Sequence, residues 1–161
     1  YPDRFTARDN TMDLILWRHA EAEDGINDLN RQLTARGQKQ AQQTAAWLRK
    51  HLPENFTVIA SQAKRSQQTA QALTKDYRVT ADINPGCEAV AILASCKWGE
   101  SNETVVIVGH QPTLGRLASF LLAGTEADWS VKKSAIWWFS NRVRHAEPQT
   151  YLKAMLLPEL I

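Results

Sequence analysis

Long apolar runs are missing from this chain. No stretch approaches the ~18 consecutive apolar residues that a membrane-spanning helix needs. The opening segment, Tyr1–Thr11, is polar and holds Pro2, Asp3, Arg4, Arg8, Asp9 and Asn10, so it lacks the apolar centre of a secretory signal. Cysteine is scarce as well. Cys87 and Cys96 form no CxxC and have no histidine close by in sequence. This excludes a disulfide framework and a zinc module, and leaves two reduced, structural thiols. Neither sign of charge dominates: 19 Lys and Arg against 17 Asp and Glu give a formal net charge of +2, too little to argue for nucleic acid. A cytoplasmic protein without membrane or nucleic-acid partners is expected, and a monomer is favoured.

Several catalytic signatures are also absent. There is no HExxH, no Gly-x4-Gly-Lys-Ser/Thr loop, no Cys/His cluster and no pair of carboxylates at ligand spacing. A cysteine phosphatase carries arginine six residues after its nucleophile. Those positions here are Leu93 and Asn102. No metal and no cofactor are expected.

What is present is an ordinary globular composition, 43% hydrophobic and 22% charged over 161 residues. That length suits one domain with a real core. Met12, followed by an apolar run, reads as a natural start. Tyr1–Thr11 is then an extension or an expression remnant outside the fold, and 12–161 is a single domain. No internal repeat, linker or low-complexity segment interrupts it.

Leu14–Trp17, a short apolar run between Asp13 and Arg18, reads as a buried strand. A helix follows from the N-cap Thr34 to the stop at Pro53, with Ala41, Ala45, Leu48 and Leu52 on one face. Gly37 in its first turn is a poor helix former and points to a close backbone approach. Phe56–Ala60 is a second strand and Ala63–Lys75 a second helix. Val79–Ile83 is a possible short strand before the Pro85-Gly86 turn, and Glu88–Trp98 is a third helix. Val105–Val108 is the clearest strand. Pro112 opens a fourth helix, Thr113–Ala123. Ala135–Phe139 and Tyr151–Leu157 read as a late hairpin with a long loop, with Trp137-Trp138 giving core and surface contacts. Such alternation predicts an α/β fold with a mostly parallel sheet covered on both faces.

The tripeptide RHA occurs twice, at Arg18–Ala20 and Arg144–Ala146. The first copy leaves a buried strand at its carboxyl end, where open α/β sheets bind ligands. The second lies in a polar turn and reads as a solvated loop. The other strand exits add Ser61 with Arg65, and Gly109 with His110. Each residue alone has an ordinary reading as loop or surface. Together, two arginines and two histidines at one sheet edge describe a phosphate pocket containing imidazole. Guanidinium forks match phosphate oxygens, and helix N-termini add donors. A neutral histidine can attack phosphorus. Neighbouring arginines would offset charge in the transition state and hold the imidazole unprotonated. Lys132, Lys133, Arg142 and Arg144 form a modest basic cluster without aromatic stacking motifs.

"LWRHAEAE", "NRQLTARGQKQA", "SQAKRSQQTAQAL" and "VVIVGHQPTLGRLASFL" together resemble the histidine phosphatase superfamily, also called phosphoglycerate-mutase-like, from about Leu14 onward. The likeness is nearest to its short SixA-type branch of phosphohistidine phosphatases. It implies a three-layer α/β/α sandwich. It also implies His19 as the phosphorylated nucleophile, Arg18 and Arg65 as phosphate-binding arginines, His110 as the second histidine, and Arg31 as a further arginine near the phosphate.

The chain departs from the family in three ways. Ala20 replaces the usual glycine of RHG, and would be strained if the site needed positive φ. No long insertion carries an acidic proton donor. Glu88 is the nearest candidate, equally readable as a helix-start carboxylate, and Glu21 is another. The Glu21–Gln32 stretch is short, so an open pocket is expected. An alkoxide needs a proton donor, whereas the P–N bond of phosphohistidine is more labile. The expectation is therefore a metal-independent phosphatase acting on phosphohistidine in proteins. The alternatives are a small-phosphoester hydrolase with the same site, or a non-catalytic phosphate-binding module.

Overall fold

Leu14–Trp17 is the fully buried centre of a longer strand, β1 (Asn10–Arg18). The computed structural model describes residues 9–161. The expected boundary after Thr11 is revised in part: Asn10 and Thr11 pair with Val143 and Arg142 and belong to the sheet. Residues 1–8 of the expected extension lie outside the described residues. Asp13 does not end the strand. Its carboxylate accepts hydrogen bonds from Trp138 Nε1 (2.9 Å) and Ser140 Oγ (2.7 Å), so a polar group inside the strand is satisfied.

Five more strands complete one sheet: β2 (Thr57–Ala60), β3 (Arg78–Val79), β4 (Thr104–Gly109), β5 (Ile136–Arg144) and β6 (Glu147–Leu156). The order is β3-β2-β4-β1-β5-β6. The first four run parallel, while β5 runs against both β1 and β6. The helices are α1 (Ala35–His51), α2 (Lys64–Leu73), α3 (Ala89–Cys96) and α4 (Thr113–Ala123).

Strand periodicity sorts the core into two layers. Ile15, Trp17, Val58, Val106 and Val108 pack with Ala45 and Leu48 of α1 and Ala70 and Leu73 of α2. Leu14, Leu16, Ile59, Val105 and Ile107 face the other way, against Ile92 of α3 and Leu114 and Leu117 of α4. The result is the expected three-layer α/β/α sandwich. Each fully buried side chain of this size contributes roughly 1.5–3 kcal/mol.

Two elements differ from expectation. Val79–Ile83 is not one strand: only Arg78 and Val79 pair, and Ala81–Ile83 forms a 3-10 turn started by Thr80, whose side chain accepts from Asp82 N–H. The late hairpin has no long loop. β5 and β6 pair out to Arg144 and Glu147, joined by His145 (φ 53°) and Ala146 (φ 63°). Two consecutive left-handed residues make the tight turn whose twist suits a two-residue hairpin. Its polar sequence hid the strand pairing.

Gly37 does mark a close approach. A Cβ there would lie 2.0 Å from the carbonyl oxygen of Glu21. The first turn of α1 is thereby pressed against the chain leaving β1. Thr34 caps the helix by accepting from Gly37 N–H at 2.9 Å.

Candidate active site

The register of two parallel strands builds the centre of the site. Trp17 pairs with Val108 and Arg18 with Gly109. The next residues on the two strands, His19 and His110, therefore leave the sheet side by side. His19 N–H donates to Gly109 O at 3.1 Å, which extends the ladder by one bond. The two rings lie with centroids 5.1 Å apart, inclined at 49°. Both are almost fully buried, His19 at 8% and His110 at 4% exposure.

His19 Nδ1 lies 2.8 Å from the carbonyl oxygen of Ala20. A carbonyl only accepts, so Nδ1 carries the proton and donates it. In the neutral ring this leaves the lone pair on Nε2. Burial pushes the His19 pKa down to about 4; the Ala20 bond opposes this, and Arg65, Arg18 and Arg31 add to it. Burial also pushes His110 down, to about 3, helped by His19 and Arg65. Both imidazoles are neutral at physiological pH. His110 Nε2 is held between Ser61 Oγ (2.7 Å) and Ser66 Oγ (3.1 Å). Ser61 follows β2 directly and Ser66 lies in the first turn of α2.

Arg65, one residue before Ser66, is buried beside them. Its Nη1 donates to Asp28 O at 2.6 Å and its Nη2 to Asp28 Oδ2 at 3.1 Å. Asp28 Oδ1 accepts from Arg31 Nη1 at 3.2 Å, and Arg31 Nε donates to Glu23 O at 2.7 Å. Arg18 Nη1 donates to Val131 O at 2.9 Å. Among the described residues, four buried side-chain polar atoms have no partner, and three belong here: Arg18 Nε, Arg65 Nε and His110 Nδ1. The two arginine Nε atoms are buried donors and suit an anion. Among the described residues, no group of three or more His, Cys, Asp or Glu is placed to hold a metal ion.

Known proteins place this arrangement. Residues 14–91 match the family model described as Histidine phosphatase superfamily (branch 1). Uncharacterised proteins from two strains of Mycobacterium tuberculosis are each 33% identical to this chain over 116 residues, 68% of this chain and 73% of theirs. The chain belongs to the histidine phosphatase superfamily.

Solved structures agree with the fold of this histidine phosphatase. One from Nakamurella multipartitia, assigned as a phosphohistidine phosphatase SixA, is 26% identical, with a TM-score of 0.74 over 95% of this chain and 98% of the other. A protein histidine phosphatase SixA complexed with tungstate is 22% identical, with a TM-score of 0.75 over 92% and 99%. One assigned as SixA from Agrobacterium tumefaciens is also 22% identical, with a TM-score of 0.72 over 91% and 97%. The fold is phosphoglycerate-mutase-like, and the family match together with the phosphatase neighbours supports a phosphatase, a hydrolase.

The structure brings His19, Arg18, Arg65, His110 and Arg31 into one electrostatic unit, since all three arginines act on the His19 charge. Glu21 is committed elsewhere in the histidine phosphatase. Its Oε2 accepts from Thr34 Oγ1 at 2.8 Å and its Oε1 lies 4.0 Å from Arg36 Nη1. Glu88 is exposed at the N-cap of α3, where its side chain makes no cap bond. Ala20 is not at positive φ. Its methyl is buried with Leu33 and Ala41, so the missing glycine costs no backbone strain.

Sequence reasoning missed three contributors. Asp28 links two arginines, and only its spacing of three from Arg31 hinted at this. Thr69 donates to Arg65 O (2.7 Å) and its Oγ1 accepts from Ala20 N–H (3.0 Å), tying α2 to the His19 loop. Ser134 (φ 60°) donates its N–H to Arg18 O at 3.0 Å, and its Oγ accepts from Trp17 Nε1 at 3.2 Å. No local pattern marks it. The second RHA lies at the opposite sheet edge. Asn10, at the far end of β1, pairs beside its turn, so the two copies are separated by roughly 25–30 Å. The basic cluster expected from sequence also divides. Arg142 and Arg144 end β5 just before that remote turn, while Lys132 and Lys133 precede β5 at the site's edge.

Proposed function

We propose that this phosphatase removes phosphoryl groups from phosphohistidine in protein substrates, through a covalent intermediate on His19. The observation that carries the reading is the His19 tautomer: Nδ1–H is fixed on Ala20 O, and the free Nε2 sits in a neutral ring among three arginines.

In the first step Nε2 attacks phosphorus and the substrate P–N bond breaks. The departing imidazole keeps the bonding electron pair and takes a proton from solvent water. Arg18 and Arg65 bind the non-bridging oxygens, whose charge grows most in the transition state. His110, steadied by Ser61 and Ser66, supplies its unpartnered Nδ1 to the same oxygens. In the second step water attacks the phosphoryl group, the His19 N–P bond breaks, and inorganic phosphate leaves. Every charge in the cycle is handled by residues of this chain, without a metal.

Phosphohistidine is favoured because its leaving group needs no dedicated carboxylic acid. Glu21 is engaged by Thr34 and Arg36. The test is intact-protein mass after brief exposure to a phosphohistidine protein, quenched at alkaline pH. Wild type gains one phosphoryl group transiently and the donor loses it; His19→Ala does neither. Donor loss with His19→Ala at the wild-type rate would overturn the covalent role. An untouched donor, with rapid cleavage of small phosphomonoesters, would move the substrate to that class. Phosphate binding with no turnover of either would make the site a binding module.

A further inference from the structure

Beside the phosphate site runs a groove of about 840 Å³, lined by Arg18, Arg36, Lys39, Lys132 and Lys133 with the single carboxylate of Glu159. Five cations meet one acid there, in a chain whose formal net charge is only +2. The groove's balance of +4 therefore exceeds the excess of the whole chain. It lies at the carboxyl edge of the sheet, between the amino-terminal half of α1, the segment before β5 and the residues after β6. Arg36 lies 4.0 Å from Glu21; no ion pair is formed by Lys39, Lys132 or Lys133 among the described residues.

Arg18 couples the groove to the phosphate site. It lines the groove, its charge acts on His19, and its Nη1 is bonded to Val131 O, one residue before Lys132. We infer that this groove receives an acidic segment of the substrate protein, whose carboxylates dock while the phosphoryl group enters beside Arg18. The inference rests on the phosphoprotein reading above.

Three features select an acidic polypeptide. Lys39, Lys132 and Lys133 are exposed, flexible point charges on two separate elements, suited to a spread of carboxylates rather than one phosphate. Leu157 and Pro158 supply aliphatic surface between the charges. Among the described residues no aromatic ring lines the groove, and none offers a platform for stacking bases. Opposed charge of this kind speeds encounter and fixes orientation.

The test uses the full chain and the triple variant Lys39→Glu, Lys132→Glu, Lys133→Glu. A fluorescein-labelled oligoglutamate and a labelled oligothymidylate are titrated at low and high salt. Turnover is followed on a phosphohistidine protein with an acidic face and on phosphoramidate, which has no carboxylates. Wild type binds oligoglutamate saturably, more weakly at high salt. The variant loses at least about tenfold in that affinity, and its kcat/KM falls at least about tenfold more on the protein than on phosphoramidate. Glu159→Lys shifts oligoglutamate binding the opposite way, which separates charge from misfolding. No oligoglutamate binding by wild type, tighter binding of oligothymidylate, or equal losses on both substrates would overturn the groove's role. Failure of the phosphoprotein reading looks different: wild type binds oligoglutamate but leaves every phosphohistidine protein intact.

Discussion

Arg65 is held by Asp28 through both terminal nitrogens, Nη1 on the main-chain oxygen at 2.6 Å and Nη2 on the carboxylate at 3.1 Å. The same carboxylate holds Arg31. One exposed acid thus fixes the direction of a guanidinium that is only 5% exposed. Asp28→Asn keeps the main-chain contact and removes the charge. The expected result is a KM several-fold higher with kcat within about a factor of two, because orientation of bound phosphate suffers before chemistry does. A fall in KM would show instead that Asp28 competes with phosphate for Arg65.

Ser61 and Ser66 hold one nitrogen of His110. Ser61→Ala removes the shorter of these bonds and frees the ring to rotate. Turnover should fall roughly tenfold, since a displaced catalytic group costs rate more than binding. Steady-state kinetics checks this, and unchanged kcat would remove Ser61 from the positioning of His110.

The lowered histidine pKa values fix two pH dependences. For activity, His19 loses its lone pair only near pH 4 in the free enzyme, so the acidic limb of kcat/KM lies well below pH 6.5. An acid-stable phosphoester is the substrate for this profile. For stability, both groups bind protons more readily when unfolded. Their contribution is fully present above pH 6.5 and is lost as pH falls through about 4 for His19 and about 3 for His110. Thermal unfolding between pH 7 and 4 should show a falling Tm, with a shallower fall in His110→Ala.

Gly37 has no room for a side chain, because a Cβ would meet Glu21 O at 2.0 Å. Gly37→Ala should cost about 1–3 kcal/mol, the usual range for forcing atoms into a packed contact. Turnover should fall too, since the displaced backbone leads directly from His19. Denaturant unfolding measures the first effect, and an unchanged midpoint would show that α1 moves freely.

His145, in the second RHA, is the contrasting case. It sits in an exposed turn at the far sheet edge, where its N–H donates to Asp9 Oδ1 at 3.0 Å. His145→Ala should leave kcat and KM unchanged, while His19→Ala lowers turnover by about three orders of magnitude or more.

The layer order and three of the four parallel strands, β1, β2 and β4, were legible in sequence, because apolar runs ended by polar residues report burial directly. His19 and His110 were legible for the same reason: each follows such a run at its carboxyl end. Strand β3 was misplaced because its two residues, Arg78 and Val79, are both exposed. Gly37 announced its close contact by being a poor helix former where a helix begins. The hairpin was misjudged in length because its edge strand, Glu147–Leu156, is largely exposed and carries no hydrophobic alternation. Sequence by itself therefore determined the parallel core strands β1, β2 and β4, the phosphate-binding residue types and which RHA leaves a buried strand. Tertiary structure alone decided that Asp28 reaches Arg65 across 37 residues, that Ser134 braces β1, and that Lys132 and Lys133 join α1 in one groove. Those contacts unite segments distant in the chain. No local propensity encodes them, and they exist only once the core has fixed where each segment ends.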